Sequence, residues 1–273
     1  MLRARVISAV VLIPALICAI WFAPYWLFTL LFGSIILLGV YEFYKMFKYT
    51  DVRPFAIIGL IITAAFITGA YFSGNFESLF PILGAVVLIV VLIVYSLQRY
   101  TGLITTERWL CTIVGVIYVG WLGSHFILLR GFGGSDGWNI GRRWIILALF
   151  ATFAADTMAY FIGRAWGKHK MAPRISPGKT WEGAAGGFVG GIGATVLLAY
   201  ILSITIDWKL ILLGCLIPVF GILGDLVESM FKRRTGVKDA GSIIPGHGGI
   251  LDRLDSILFV VIVVYYYVLW VIS

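Results

Sequence analysis

Asp156 sits within the apolar run Ala154-Ala155-Asp156-Thr157. Asp225 and Glu228 sit in Gly224-Asp225-Leu226-Val227-Glu228, and Asp252 and Asp255 head a further apolar run. An ionised carboxylate at the centre of a bilayer helix costs about 2.5–3.5 kcal/mol on insertion scales, so such groups face a polar cavity or a partner. Asp225/Glu228 and Asp252/Asp255 are i,i+3 pairs, and each pair shares a helix face. Like charges that close repel unless a cation lies between them. Oxygen donors with no His or Cys cluster favour a hard ion, Mg²⁺, over zinc or copper, with room for a second cation. The plainer alternative is that each acid snorkels or pairs with a nearby Lys or Arg. For one acid the two readings balance; for five or six acids at one depth the cation reading is the stronger.

Two basic loops flank these acids. Loop 164–182 carries Arg164, Lys168, Lys170, Arg174 and Lys179, then Ser176-Pro177-Gly178-Lys179-Thr180-Trp181-Glu182 leading into a helix start. Backbone N–H groups at a helix N-terminus, together with Ser176, Lys179 and Thr180, suit a phosphate. A polybasic segment that grips anionic lipid would have the same composition. It would not call for the Gly183–Gly193 tract that follows, whose four-residue glycine spacing means close helix packing against the acid-bearing helices. Loop 232–253 holds Lys232, Arg233, Arg234, Lys238, Asp239, His247, Gly248, Gly249 and Arg253 directly ahead of Asp255. Its glycines allow backbone to approach a ligand and its cations offset phosphate charge, although Asp239 also suits a turn and His247 a cap.

The elements that must position these residues are membrane helices. Of 273 residues, 61% are hydrophobic and 12% charged, against roughly 45–50% and about 25% in soluble domains. Soluble enzymes, disulfide scaffolds and disordered chains are thereby excluded. Cys18, Cys111 and Cys215 lie singly in apolar runs and make neither a metal site nor a disulfide framework. The expected fold is all-α and polytopic, with about nine crossings near 4–22, 25–41, 54–73, 79–97, 109–129, 144–163, 183–205, 209–231 and 254–273. The first, behind Arg3 and Arg5, reads as a retained helix and not as a cleaved signal.

With the N-terminus cytoplasmic, 17 of the 21 Lys and Arg residues fall on the inner side. Asp156 and Asp225 then lie eight and seven residues from Arg164 and Lys232, roughly 10–12 Å from the inner boundary. Glu182, Asp252 and Asp255 open helices at that same boundary. Residues 1–130 form scaffold helices with expected dimer contacts, and 131–273 form the catalytic region with its two cytoplasmic loops. The net charge of +8 is confined to loops and membrane boundaries, which points to anionic lipid or a phosphorylated substrate and not to nucleic acid.

Residues 229–255 resemble, position for position over 27 residues, the signature of the phosphatidate cytidylyltransferases (CDP-diacylglycerol synthases). That signature runs S-x-hydrophobic-K-R-x4-K-D-x-small-x2-hydrophobic-P-x-H-G-G-hydrophobic-x-D-R-hydrophobic-D. The Ser176–Gly183 stretch and Asp156 with Gly163-Arg164 are similar to that family too, so the resemblance covers roughly 150–260. It implies transfer of CMP from CTP to phosphatidate with Mg²⁺, in a dimer embedded in a bacterial-type plasma (inner) membrane with the active site facing the cytoplasm. It implies metal ligation by Asp225, Asp252 and Asp255, with Glu228, Asp156 and Glu182 as further ligands or supports. Lys238 and His247 join the catalytic set. Ser176, Lys179, Thr180, Lys232, Arg233, Asp239, Gly248, Gly249 and Arg253 bind substrate.

Three other classes compete. An ion-coupled transporter uses intramembrane acids and glycine-rich helices, but here the acids are confined to one half and one membrane face. A CDP-alcohol phosphotransferase needs a DG…AR…G…D…D helix that is absent. A CTP-dependent lipid kinase is chemically close and differs in passing phosphate, not CMP, to the lipid.

Overall fold

A computed structural model describes residues 2–73, 103–133, 140–243 and 248–272. Nine helices make up most of it: α1 Leu2–Phe22, α2 Tyr25–Met46, α3 Ala56–Ser73, α4 Leu103–Gly115, α5 Leu122–Gly131, α6 Ile140–Trp166, α7 Trp181–Ile201, α8 Trp208–Thr235 and α9 Leu251–Tyr267. A π-turn, Val116–Trp121, carries α4 into α5, and another, Val268–Ile272, ends α9.

The all-α expectation is corrected at one place. Loop 164–182 contains an antiparallel hairpin, β1 Lys170–Ala172 with β2 Ser176–Thr180, in which Lys170 faces Thr180 and Ala172 faces Ser176. Gly167 N–H still bonds Gly163 O at 3.0 Å, and the turn closes by Ile175 N–H to Ala172 O at 3.1 Å. Pro177 suits a two-stranded ribbon, where one side of each strand needs no ladder partner.

Six stretches among the described residues are long and apolar enough to cross a membrane: Tyr25–Met46, Thr106–Gly131, Ile140–Trp166, Trp181–Ile201, Trp208–Thr235 and Leu251–Ile272. Ile13–Phe22 and Ala56–Phe72 are shorter apolar helices. The segment expected at 79–97 lies outside the described residues. Large apolar side chains such as Leu197, Leu212, Tyr200 and Trp208 stand exposed on the spans, as lipid contact requires and water would penalise.

The chain forms two compact units. One holds the residues up to Gly131 together with Thr235–Asp252; the other holds Phe132–Arg234 with the residues from Arg253 on.

In the first unit, α2 is the central helix. Phe28 stacks on Phe32 at 4.1 Å, Phe32 meets Phe126 of α5 at 5.5 Å, and Phe43 meets Tyr118 of the π-turn at 6.0 Å. Polar groups in this core are paired across helices. Tyr44 Oη donates to Thr112 O at 2.7 Å, and Phe55 N–H donates to Thr112 Oγ1 at 2.8 Å. Arg130, one of the few cations counted on the outer side, is buried, donates to Ala23 O at 3.0 Å and lies over the Phe28 ring. Its position is set by packing.

In the second unit, glycines bring three helices together. A Cβ on Gly187 of α7 would lie 3.2 Å from Ala159 Cβ and 3.3 Å from Ala155 O of α6, the helix that carries Asp156. Gly191 packs on Pro218 of α8, and Gly214 of α8 packs back on Ile192 and Thr195. The small-residue tract therefore acts as a packing face, as its spacing predicts.

Candidate active site

In the second unit the acids come from three helices. Asp156 projects from α6, Asp225 and Glu228 from α8, and Asp255 from the start of α9. Gly224 is what lets α8 and α9 meet here: a Cβ at that position would press on the Asp255 carbonyl oxygen and lie 3.1 Å from Ser256 Cα. Ser256 is buried, donates its hydroxyl to Asp156, and through its N–H caps Asp255 Oδ1 at 2.7 Å. Ser229 Oγ donates to Asp225 Oδ1 at 3.1 Å. Asp255 stands within electrostatic reach of Asp225 and within hydrogen-bonding range of Glu228.

Two lysines balance this charge. Lys179, on β2, places Nζ 2.8 Å from Asp225 Oδ2 and donates to Ile222 O at 3.2 Å. Lys232 places Nζ 2.5 Å from Oε2 of the fully buried Glu228, one helical turn away. Arg233, next along, is exposed and its Nε donates to Ile175 O at 3.2 Å, tying the end of α8 to the hairpin turn.

The hairpin is held by Glu182. Its carboxylate accepts the His169 ring at 2.6 Å and the backbone N–H groups of Lys168 and His169 at 3.1–3.3 Å. Thr180 is buried, adopts the extended N-cap conformation of α7 and accepts Gly183 N–H at 3.1 Å. Glu182 thus spends its oxygens on local structure, and the Thr180 hydroxyl oxygen caps α7. Ser176 is partly exposed on β2.

In the first unit, Asp252 closes the base of the glycine-rich loop. Its carboxylate accepts Ala240 N–H at 3.0 and 3.1 Å and Gly249 N–H at 2.7 Å. Gly248 takes a left-handed φ of +88°, open to glycine at little cost, and a Cβ there would lie 2.8 Å from Asp252 Oδ2. Lys238 and Asp239 are exposed on the approach to that base, and Arg253 is exposed just after it. His247 lies outside the described residues.

Sequence reasoning missed Glu42, treating the first helices as scaffold. Glu42 is a lone carboxylate in the apolar span Tyr25–Met46 and is 1% exposed. Its Oε2 accepts Leu251 N–H at 2.9 Å. The criterion that singled out Asp156, an acid inside an apolar helix, applies equally to Glu42.

The donor chemistry fits a hard cation, since the second-unit cluster offers carboxylate oxygens and no thiolate or imidazole. An ammonium, Lys179, already lies against Asp225. Among the described residues, no three His, Cys, Asp or Glu side chains stand close enough together to hold a metal ion.

In the second unit, acids from three helices long and apolar enough to cross a membrane are thus balanced by Lys179 and Lys232. The Cytidylyltransferase family profile matches residues 3–271, and the chain belongs to that family; it is an integral membrane nucleotidyltransferase. It is 34% identical over 268 residues to a phosphatidate cytidylyltransferase of Pseudomonas aeruginosa, covering 94% of this chain and 93% of that one. It is 34% identical over 248 residues to that of Bacillus subtilis, covering 88% and 87%. Against that of Haemophilus influenzae it is 33% identical over 284 residues, covering 94% and 95%.

Proposed function

We propose that this protein transfers CMP from CTP to phosphatidate, yielding CDP-diacylglycerol and pyrophosphate. The observation that carries this reading is the family match along nearly the whole chain, 3–271, to a family whose similar members bear that activity as their name. The site chemistry supports it independently.

Phosphatidate is a phosphomonoester with a second pKa of about 6, so its oxygen is already a nucleophile near neutrality. No serine, cysteine or general base is needed. An oxygen of the lipid phosphate attacks the α-phosphorus of CTP, a bond forms there, and the α–β phosphoanhydride bond breaks to release pyrophosphate. The task left to the protein is to bring two polyanions together and stabilise charge on the equatorial and leaving oxygens. Lys179, Lys232 and Arg233 of one unit are suited to this, as are Lys238 of the other and Arg253 at the start of α9. A Mg²⁺ ion held by Asp225 and Asp255, with Asp156 and Glu228 beside them, would supply further charge neutralisation at the reacting phosphates. Asp252 shares the first turns of α9 with Asp255 at i,i+3 and presents a carboxylate at the base of the glycine-rich loop. His247 is assigned to protonating the departing pyrophosphate.

The finer topology belongs to the same proposal. Nine crossings with a cytoplasmic N-terminus put both basic loops on the side where CTP is found, in the plasma membrane of a bacterial cell, with the protein working as a homodimer. The acyl chains of phosphatidate stay in the bilayer while its head group reaches the acids.

The test supplies purified protein with phosphatidate, Mg²⁺ and CTP labelled separately in cytosine and in the γ-phosphate. Cytosine label alone should enter the lipid. Entry of γ-phosphate label would instead assign a lipid kinase, and no transfer of either label would end the proposal.

A further inference from the structure

Glu42 is a buried carboxylate that the reaction scheme does not use, and the groups named here against it belong to the first unit. Its Oε2 accepts the N–H of Leu251, the first residue of α9, at 2.9 Å. The same carboxylate lies against two glycine backbones. A Cβ on Gly249 would stand 2.5 Å from Oε2, and one on Gly241 would stand 2.5 Å from Cδ, both well inside contact. Gly241 and Gly249 are themselves close, since the Gly249 Cβ would be 2.7 Å from Gly241 N. Asp252 grips the same backbone from the other side, through Ala240 N–H and Gly249 N–H.

The entry and exit strands of the glycine-rich loop therefore meet at Glu42. A buried carboxylate costs several kcal/mol to desolvate unless donors meet it, so it is retained only where backbone donors are held against it. Such a donor, Leu251 N–H on Oε2, opens the helix whose second residue is Asp252, while Oε1 has no hydrogen-bond partner among the described residues. From this we infer that Glu42 is a positioning residue: its reach from α2 to Leu251 sets the base of the 240–251 loop and, through it, the placement of Asp252. The catalytic part of this inference rests on the proposed role of Asp252 in CMP transfer.

Reach and charge can be separated. Glu42→Gln keeps the chain length and an acceptor oxygen and loses the charge; Glu42→Asp keeps the charge and withdraws the oxygen by one methylene. The two purified full-length variants are compared with the native protein by hydrogen–deuterium exchange over 240–252 and by CMP transfer from CTP to phosphatidate. The Gln variant should exchange at native rates and keep turnover within about threefold. The Asp variant should exchange about tenfold faster in that segment and lose about tenfold in kcat, with KM for phosphatidate unmoved and exchange in α3 and α5 native. If Glu42→Asp does not fold, Gly241→Ala, which pushes a methyl against the same carboxylate, must give the fast-exchange, low-kcat result. An active, slowly exchanging Asp variant beside an inactive Gln variant overturns the inference, as does fast exchange with native kcat. Asp252→Asn is assayed alongside. Native turnover in that variant removes the catalytic reading of Asp252, while the exchange contrast still reports on Glu42.

Discussion

Lys179 Nζ lies 2.8 Å from Asp225 Oδ2 and 3.2 Å from Ile222 O, so a side chain from the β2 strand grips α8 one turn before its first acid. The pair is only partly shielded, with side-chain exposures of 19% and 35%. Its value is therefore positional more than energetic, because solvent screens much of the attraction.

Lys179→Met removes the ammonium and keeps the length of the side chain. It should lower kcat/KM for CTP by about 100-fold, the size of effect seen when one charge-stabilising donor is removed from a reacting centre. Lys179→Arg should recover part of that loss. Steady-state kinetics at saturating phosphatidate measure both.

Asp255→Asn and Asp252→Asn should each lose about 100-fold or more of Mg²⁺-dependent transfer while the helical circular dichroism spectrum and the melting temperature stay near native. Activity is to be titrated with Mg²⁺ and with Mn²⁺. Turnover close to native in the purified Asp255 variant would refute its part in the metal site, and in the Asp252 variant its part in transfer.

Gly224→Ala places a methyl group against the Asp255 carbonyl and 3.1 Å from Ser256 Cα, so α8 and α9 must separate. The expected cost is about 1–3 kcal/mol of stability, with turnover falling as Asp255 moves. Gly193→Ala is the control, since nothing among the described residues lies within 4 Å of a Cβ built there. It should leave stability unchanged or raise it by about 0.5–1 kcal/mol through helix propensity. Thermal unfolding in one detergent compares the two.

Glu182→Ala frees the N–H groups of Lys168 and His169 that now bond its carboxylate. The β1–β2 hairpin should open, and trypsin should cut at Lys168, Lys170 or Arg174 several-fold faster than in the native protein. Run on inside-out and right-side-out vesicles, the same digestion tests topology. Cleavage confined to inside-out vesicles is the expected result.

The intramembrane acids, the glycine face and the family were legible because their signals are local. Asp225 and Glu228 sit in an apolar run that asks for a partner, the Gly183–Gly193 spacing forms a face by helical periodicity alone, and the 229–255 motif is contiguous. The hairpin in loop 164–182 was not legible. Its pairing of Lys170 with Thr180 depends on Glu182 folding back onto Lys168 and His169, and no pattern in a short polar loop encodes that. The capping of α7 by the Thr180 hydroxyl oxygen, which accepts Gly183 N–H, was not legible either.

Sequence alone therefore determined the membrane class and the acids embedded in it, because hydropathy and spacing act over one or two helical turns, and it determined the family through the resemblance carried by 229–255. Which groups meet was decided by tertiary structure: Lys179 with Asp225, Ser256 with Asp156, and Glu42 with a backbone N–H 209 residues away. A carboxylate in an apolar helix announces that it needs a donor, since leaving it unpaired in low dielectric is too costly to persist. It carries no record of which donor, because that choice is made only when distant helices pack and exclude every other candidate.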